Sequence, residues 1–389
     1  MLEQKKILVL SGYYLPYISG MSIYTQRLYE FLVKNGYKVT VLTTRHDNSL
    51  PKRENINDVE VIRSYVAFKF QRGAYSPTIL FNLIRNVTDY DFVIMNMPFF
   101  DAGLATIISK IFSKKVFLTY HSDLKISKGL LSKIVSWLYY RSLNIACSLC
   151  DKIIVNSMAH TTQSKIKQFV SKVRQIIPPV DTERFDKSKD VKDFKKKYNI
   201  NPNEKVIGFI GRFAEEKGLR YLVEAMSTIN KEIENVRLLF GGTGEKLVGR
   251  EKESTKEEIL KLIEDLKLKN ISFLGFLSDK ELVDFYSSCD VFVFPSIAID
   301  TFGLVQAEAL LCGTPVVTTD MPGTRDLVEM TGFGIKVPPA DSVKLAEAVI
   351  KILKNKKDFV VSREKLLSIL GTEKTAKEYE ELFMEYYNK

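Results

Sequence analysis

Asp300 and Glu308 flank the start of an expected helix in PSIAIDTFGLVQAEALLCGTPVV, Pro295 to Val317. The apolar run VFVFP that ends at Pro295 reads as a strand, and the helix is expected from near Phe302 and Gly303 to about Cys312. Free amides and the positive dipole end at such a start favour an anionic or hydroxyl-rich ligand, which places Phe302, Gly303 and Leu304 among the candidate binding positions. Glu308 follows Asp300 by about two helical turns, so both carboxylates are expected to line one cleft. Ionised carboxylates only accept hydrogen bonds, which suits sugar and ribose hydroxyls. A nucleotide sugar offers both.

A second segment, GFIGRFAEEKG from Gly208 to Gly218, adds cations. The strand-like run KVIGFIG delivers Arg212 at its carboxyl end, and Lys217 precedes the helical pattern LRYLVEAM. Ligands of open α/β sheets bind beyond the carboxyl ends of the strands. Arg supplies a planar fork and Lys a mobile point charge, so the pair suits a diphosphate. Taken singly, each segment also fits an ordinary strand, turn and helix with solvated charges. Their combination points to a nucleotide ligand.

The elements that must position these residues come in two series. KKILVLS, YKVTVLTT, DVEVIRS, DFVIMNM, KVFLTYH, DKIIVNS and VRQIIPP form the first, and KVIGFIG, VRLLFGG, ISFLGF, DVFVFPS, TPVVTT and GFGIKVPP the second. Helical patterns between them predict two parallel α/β sheets covered by helices. The expected domains are 1–182, 183–372 and a C-terminal helix over 373–389 that crosses back to the first domain, with Tyr379, Leu382, Phe383, Tyr386 and Tyr387 near one face. In the first series, Gly20 precedes a helix and permits close backbone approach to a diphosphate. His121 ends the strand KVFLTYH, at the ligand end of its sheet.

Composition fits globular protein, with 45% apolar and 27% charged residues among 389. The start MLEQKKILVL runs directly into a strand and no apolar run has the length of a membrane span, so a cytoplasmic protein is expected. Charge is uneven: residues 1–180 hold 24 Lys and Arg against 11 Asp and Glu, and residues 181–389 hold 33 against 36. A basic first half points to an anionic partner such as a membrane surface. Motifs for nucleic-acid binding are missing, which excludes that partner class. Cys147 and Cys150 form C-x-x-C without further ligands in reach, so all four cysteines read as buried thiols. Asp89 and Asp91 spell D-x-D ahead of the strand FVIMNM and read as turn residues.

GRFAEEKG, LLFGGTGE, the run Ile271 to Ser296 and DTFGLVQAEALLCGTPVV together resemble retaining glycosyltransferases of family 4, with the GT-B fold of two Rossmann-like domains facing across a cleft. The resemblance spans nearly the whole chain. It implies transfer of a hexose from a nucleoside diphosphate sugar, with no cofactor and no dedicated metal. Arg212 and Lys217 would stabilise the departing diphosphate, Glu308 would hold the ribose, Asp300 would orient the donor sugar and His121 would contact the transferred sugar. Gly20, Gly242 and Gly244 join the donor-binding set. The family more often carries Glu where Asp300 stands, and two glycines where Ser19 and Gly20 stand.

The acceptor is expected on the first domain. Two aromatic and cationic segments are candidates for contact with acceptor or membrane: one around Phe68, Lys69 and Arg72, the other around Trp137 and Arg141. A lipid-linked or membrane-proximal saccharide is the expected acceptor, with peripheral association at the inner membrane face. A soluble acceptor, a nucleotide-sugar epimerase and a silent nucleotide-sugar sensor are the alternative readings.

Overall fold

The computed structural model describes residues 5–70, 73–124, 129–242 and 253–387. Gly244 and Arg72 lie outside the described residues. The chain divides into two compact units, one of residues 1–179 with 372–389 and the other of Val180–Gly371.

The first unit is built on an eight-stranded sheet. Its strands are β1 (Lys6–Ser11), β2 (Lys38–Thr44), β3 (Arg53–Ile56), β4 (Val59–Ser64), β7 (Phe92–Met97), β8 (Lys115–Tyr120), β9 (Lys152–Val155) and β10 (Val173–Gln175). A separate hairpin pairs β5 (Phe68–Phe70) with β6 (Gly73–Tyr75). The order is β10-β9-β8-β7-β1-β2-β4-β3, parallel throughout except at β3, which runs antiparallel to β4. β7, FVIMNM, is buried along its whole length, as a central strand covered on both faces must be. In register, Val9 pairs with Val41 on one side and with Ile94 on the other.

Each face of this sheet carries its own core. Against one face pack helices α2 (Thr78–Asn86), α3 (Ala102–Ile111) and α4 (Leu130–Leu149), through residues such as Leu83, Ala105 and Leu143. Against the other pack α1 (Gly20–Lys34) and the C-terminal helix Thr372–Tyr387. Tyr379, Leu382 and Phe383 of that last helix are fully buried, and the Phe383 ring stacks on Phe92 at 5.0 Å between centroids. Tyr386 meets Phe117 edge-on at 5.4 Å, whereas Tyr387 is half exposed.

The second unit has a six-stranded, all-parallel sheet in the order β13-β12-β11-β14-β15-β16. Its strands are β11 (Lys205–Ile210), β12 (Val236–Gly241), β13 (Ile271–Gly275), β14 (Val291–Phe294), β15 (Val316–Thr319) and β16 (Ile335–Val337). Helices Leu219–Glu232 and Ser342–Lys354 bury Leu222, Met226, Val349 and Ile352 against Phe209, Leu238 and Val293. The chain progresses outward from β11 in one direction and from β14 in the other, so a topological switch point lies between them. A ligand crevice is expected beyond the carboxyl ends of strands at such a point. In the first sheet the corresponding pair is β1 and β7.

The four cysteines are buried and unbridged. Burial pushes the Cys150 and Cys312 thiols up to about 12, which makes them inert packing residues. Of the D-x-D residues, Asp89 ends a short turn and Asp91 accepts the Lys6 amide at 2.8 Å.

Candidate functional site

The loops that leave β11 and β14 are stitched together by the backbone. The Glu216 carbonyl accepts the Ile297 amide at 2.9 Å and the Ser296 hydroxyl at 3.0 Å. Gly218 has φ 66°, and a Cβ there would collide with the Pro295 carbonyl oxygen. Only glycine allows that approach, so Lys217 is delivered to the second loop by a chain that cannot drift. Gly242, at the end of β12, has φ 110° and would collide in the same way with the Gly211 carbonyl. This packs the loop preceding Arg212 against its neighbour strand.

On this frame Lys217 Nζ lies 2.6 Å from Asp300 Oδ2 and 4.9 Å from the centre of the Phe294 ring. Both partners of the ion pair are mostly buried, with side-chain exposures of 16% and 22%. Arg212 is more exposed and meets Glu216 at 3.0 Å. Asp300 also caps its own turn, accepting the Thr301 amide at 2.8 Å. A Cβ on Gly323 would strike the Asp300 carbonyl oxygen, so the MPGT turn holds this loop from behind.

The helix after this loop runs Leu304–Leu311, starting just past Phe302 and Gly303. Gly303, at φ 71°, is its N-cap and provides no side-chain cap. The helix therefore opens with amide donors that its cap residue does not engage. A Cβ at Gly303 would press on the Gln306 amide, whose Nε2 donates to the Thr324 carbonyl at 3.0 Å. Phe302 is buried.

Asp300 and Glu308 do not share a helical face as the spacing predicts. Asp300 precedes the helix by several residues of irregular backbone, so the two-turn argument does not apply to it. Glu308 lies within the helix, where its Oε2 accepts the Tyr286 hydroxyl at 2.9 Å. Asp300 is committed to Lys217 and Glu308 to Tyr286. Tyr286 and Phe294 escaped the sequence reading because a Tyr in DFYSSCD and a Phe in a strand carry no signal beyond core packing. The Gly323 contact had a signal in the Pro-Gly turn MPGTR.

In the first unit, Gly20 opens α1 behind a reciprocal cap. The Ser19 hydroxyl accepts the Ser22 amide at 3.1 Å and the Ser22 hydroxyl accepts the Ser19 amide at 2.7 Å. A Cβ on Gly20 would meet no heavy atom within 4 Å, so the fold itself leaves the space over it open. His121 follows β8 and is buried, its Nε2 3.5 Å from Asn96 Oδ1 and its ring edge-on to Tyr24 at 4.7 Å. Burial pushes the imidazole down to about 4, so it is neutral at pH 7. Tyr24 shares a hydrogen bond of 2.8 Å with Tyr379 of the C-terminal helix, and Tyr379 lies 3.2 Å from the Thr119 hydroxyl.

The acceptor candidates separate. Phe68 is exposed on the β5–β6 hairpin, against Tyr75, while Lys69 donates to the His46 carbonyl at 2.7 Å. Trp137 is exposed on α4 with Arg141 over its ring at 5.5 Å, whereas the adjacent Tyr139 is buried.

Comparison with known proteins gives one consistent picture. Residues 190–366 match the model of glycosyl transferases group 1, and residues 18–184 match that of glycosyltransferase family 4. An uncharacterized glycosyltransferase of Methanocaldococcus jannaschii is 28% identical over 90% of this chain and 89% of its own. Alpha-monoglucosyldiacylglycerol synthase of Streptococcus pneumoniae is 26% identical over 82% of this chain and 72% of its own. Among solved structures, HepE of Anabaena in complex with UDP superposes with a TM-score of 0.78 at 20% identity, covering 98% of this chain and 100% of that one.

Proposed function

Because the chain belongs to the family 4 glycosyltransferases and has their GT-B fold, we propose that it moves a hexose from a nucleoside diphosphate sugar to a lipid-linked or membrane-proximal saccharide, with retention at the anomeric carbon. The observation that carries the donor half is the cluster at the switch point of the second sheet. The loops that follow β11 and β14 carry a cation held at 2.6 Å by a carboxylate, a second cation, Arg212, and a helix start whose N-cap provides no side chain.

Departure of the nucleoside diphosphate builds negative charge on its terminal phosphate. Fixed cations and amide dipoles placed beforehand stabilise that charge without reorganising. Lys217 and Arg212 supply the cations, and the amides near Gly303 and Leu304 supply the dipoles. Glu308, oriented by Tyr286, accepts from the ribose hydroxyls. Asp300 serves twice, holding Lys217 and orienting the donor sugar. Gly20 gives the diphosphate backbone access, and neutral His121 offers a hydrogen bond to the transferred sugar. The reaction needs no metal or cofactor in this reading.

The acceptor half is supported by what relatives and neighbours are. The Streptococcus pneumoniae relative is named for a glucosyldiacylglycerol product; on the donor side, HepE has also been solved with UDP-glucose. The acceptor binds the first unit, and the protein works peripherally at the cytoplasmic face of a membrane. Incubation with a panel of nucleoside diphosphate sugars and lipid-linked saccharides tests this, with nucleoside diphosphate release as readout. Release with one donor, accompanied by an α-configured product from an α-configured donor, is the expected result. Donor binding without release would make the protein a sensor, and an epimer formed from donor alone would make it an epimerase.

A further inference from the structure

We propose that the outward face of α4, widened by α3, is the surface that inserts into an anionic lipid bilayer, with Trp137 at its centre. This rests on the membrane-proximal reading above and names the face that such a reading requires.

A helix on a protein surface normally turns charged and polar residues outward. Helix α4 departs from that pattern. Its inner stripe, with Tyr139, Leu143, Ala146 and Cys147, is buried in the first core. Its outer stripe is also apolar: Leu131, Ile134, Trp137, Leu138 and Ile145 are 59%, 49%, 58%, 45% and 42% exposed. Helix α3 adds a second stripe in which Leu104 and Ile111 are 55% and 72% exposed. Scattered apolar residues are normal on a surface, but apolar stripes on two adjoining helices mark an interaction face.

The two helices form a rigid platform. The Ser142 hydroxyl accepts the Gly103 amide at 2.9 Å and donates to the Phe100 carbonyl at 2.8 Å. A Cβ on Gly103 would come within 2.8 Å of the Ser142 carbonyl oxygen, so the helices touch at backbone distance. Such a pair can offer its outer stripes without rearranging.

Charge identifies the partner. The charged residues of α3 and α4 are Lys110, Lys133 and Arg141, all cationic, and Lys110 is paired with Asp151 just beyond α4. Neither α3 nor α4 contains Asp or Glu. A second copy of the chain would set these cations against their own kind, whereas anionic headgroups complement them. Trp137 and the Arg141 guanidinium stacked on it have the amphipathic character of groups that settle at a headgroup boundary. Among the described residues no helix is long and apolar enough to cross a membrane, so the contact is interfacial.

Trp137 is the chain's single tryptophan, which makes the test direct. Its emission is followed during titration of the intact protein with phosphatidylglycerol vesicles, with phosphatidylcholine vesicles and without lipid. The expected result is a blue shift with phosphatidylglycerol, quenching by acyl-brominated lipid, and weakening by salt. Ile134→Glu is expected to weaken vesicle binding at least ten-fold while leaving hydrolysis of the donor sugar in lipid-free solution unchanged. An unshifted, unquenched Trp137 at low salt overturns the proposal. So does an equal response to both lipids, and so does a shift that grows with protein concentration without lipid, which would place a second copy on the face. Insertion of Trp137 without transfer to any lipid-linked saccharide would leave this surface standing and remove the acceptor assignment.

Discussion

Lys217 and Asp300, 83 residues apart in the chain, meet at 2.6 Å across the two loops that bracket the switch point of the second sheet. The pair is mostly shielded from water, so each charge depends on the other. Lys217→Ala and Arg212→Ala are each expected to lower turnover by about ten- to a thousand-fold with folding retained, judged from the size of oxyanion-type contacts. Asp300→Asn frees Lys217 and should lower turnover as well. Because the two groups act as one unit, the double variant Lys217→Ala/Asp300→Asn should lose far less than the product of the single losses. Steady-state kinetics of the four proteins decide this, and independent effects would deny the coupling.

Glu308→Gln should weaken nucleoside diphosphate binding, measured by calorimetry, because a neutral amide is a poorer acceptor for paired hydroxyls. Tyr286→Phe removes the hydroxyl 2.9 Å from that carboxylate and should produce a smaller weakening in the same direction. If Tyr286→Phe binds as tightly as the parent, its orienting role fails.

Transfer should persist in excess chelator, since the fixed cations Arg212 and Lys217 occupy the place a metal ion would serve in charge stabilisation. Strict dependence of product formation on an added divalent ion would refute this.

The buried His121 makes a pH prediction with a definite sign. Its imidazole sits at about 4 in the folded protein, below the ordinary 6.5, because burial disfavours the cation. The unfolded chain therefore binds the extra proton between those values. His121 leaves stability undiminished above pH 6.5 and erodes it as pH falls toward 4, by on the order of 3 kcal/mol. Asp101, raised by burial to about 6, acts oppositely, losing stability as pH rises from 3.8 through 6. Comparing thermal midpoints of the parent and His121→Asn across about pH 4 to 7 isolates the histidine. The parent should lose ground relative to the variant as pH drops.

Tyr379→Phe deletes a hydroxyl shared with Tyr24 and Thr119 in a buried setting. A loss of about 1–3 kcal/mol in urea unfolding is expected, because Tyr24 is left short of a partner. No loss would mean that the contact contributes nothing to the docking of the C-terminal helix.

Much of this was readable from residues alone. KVFLTY, FVIMNM and VFVF announce buried parallel strands by near-continuous apolar runs, and each is found where those runs stand. RENI, which forms β3, has no such run: it is an edge strand whose pairing with β4 depends on neighbours rather than pattern. The hairpin β5–β6 escaped for the same reason. At the site, residue types in Lys217, Asp300 and Glu308 were legible, but their partners were not. A carboxylate's position in sequence says nothing about whether it faces Lys217 or Tyr286. On α4, Trp137 and Tyr139 differ by two positions, and only the packing of Leu143 and Ala146 decides which is buried.

The return of residues 372–387 to the first unit bears on how the protein is made. The second unit is one continuous stretch, Val180–Gly371, and can fold as soon as it clears the ribosome. The first unit begins emerging earlier, yet one face of its sheet, covered in part by α1, is not completed until Tyr379, Leu382 and Phe383 have been synthesised. The domain translated first is thus the last to be finished. A stop codon ahead of Tyr379 would leave the apolar sheet residues Phe92 and Phe117, encoded far upstream, without the Phe383 ring that covers them, and a nascent chain stalled there would present them to chaperones.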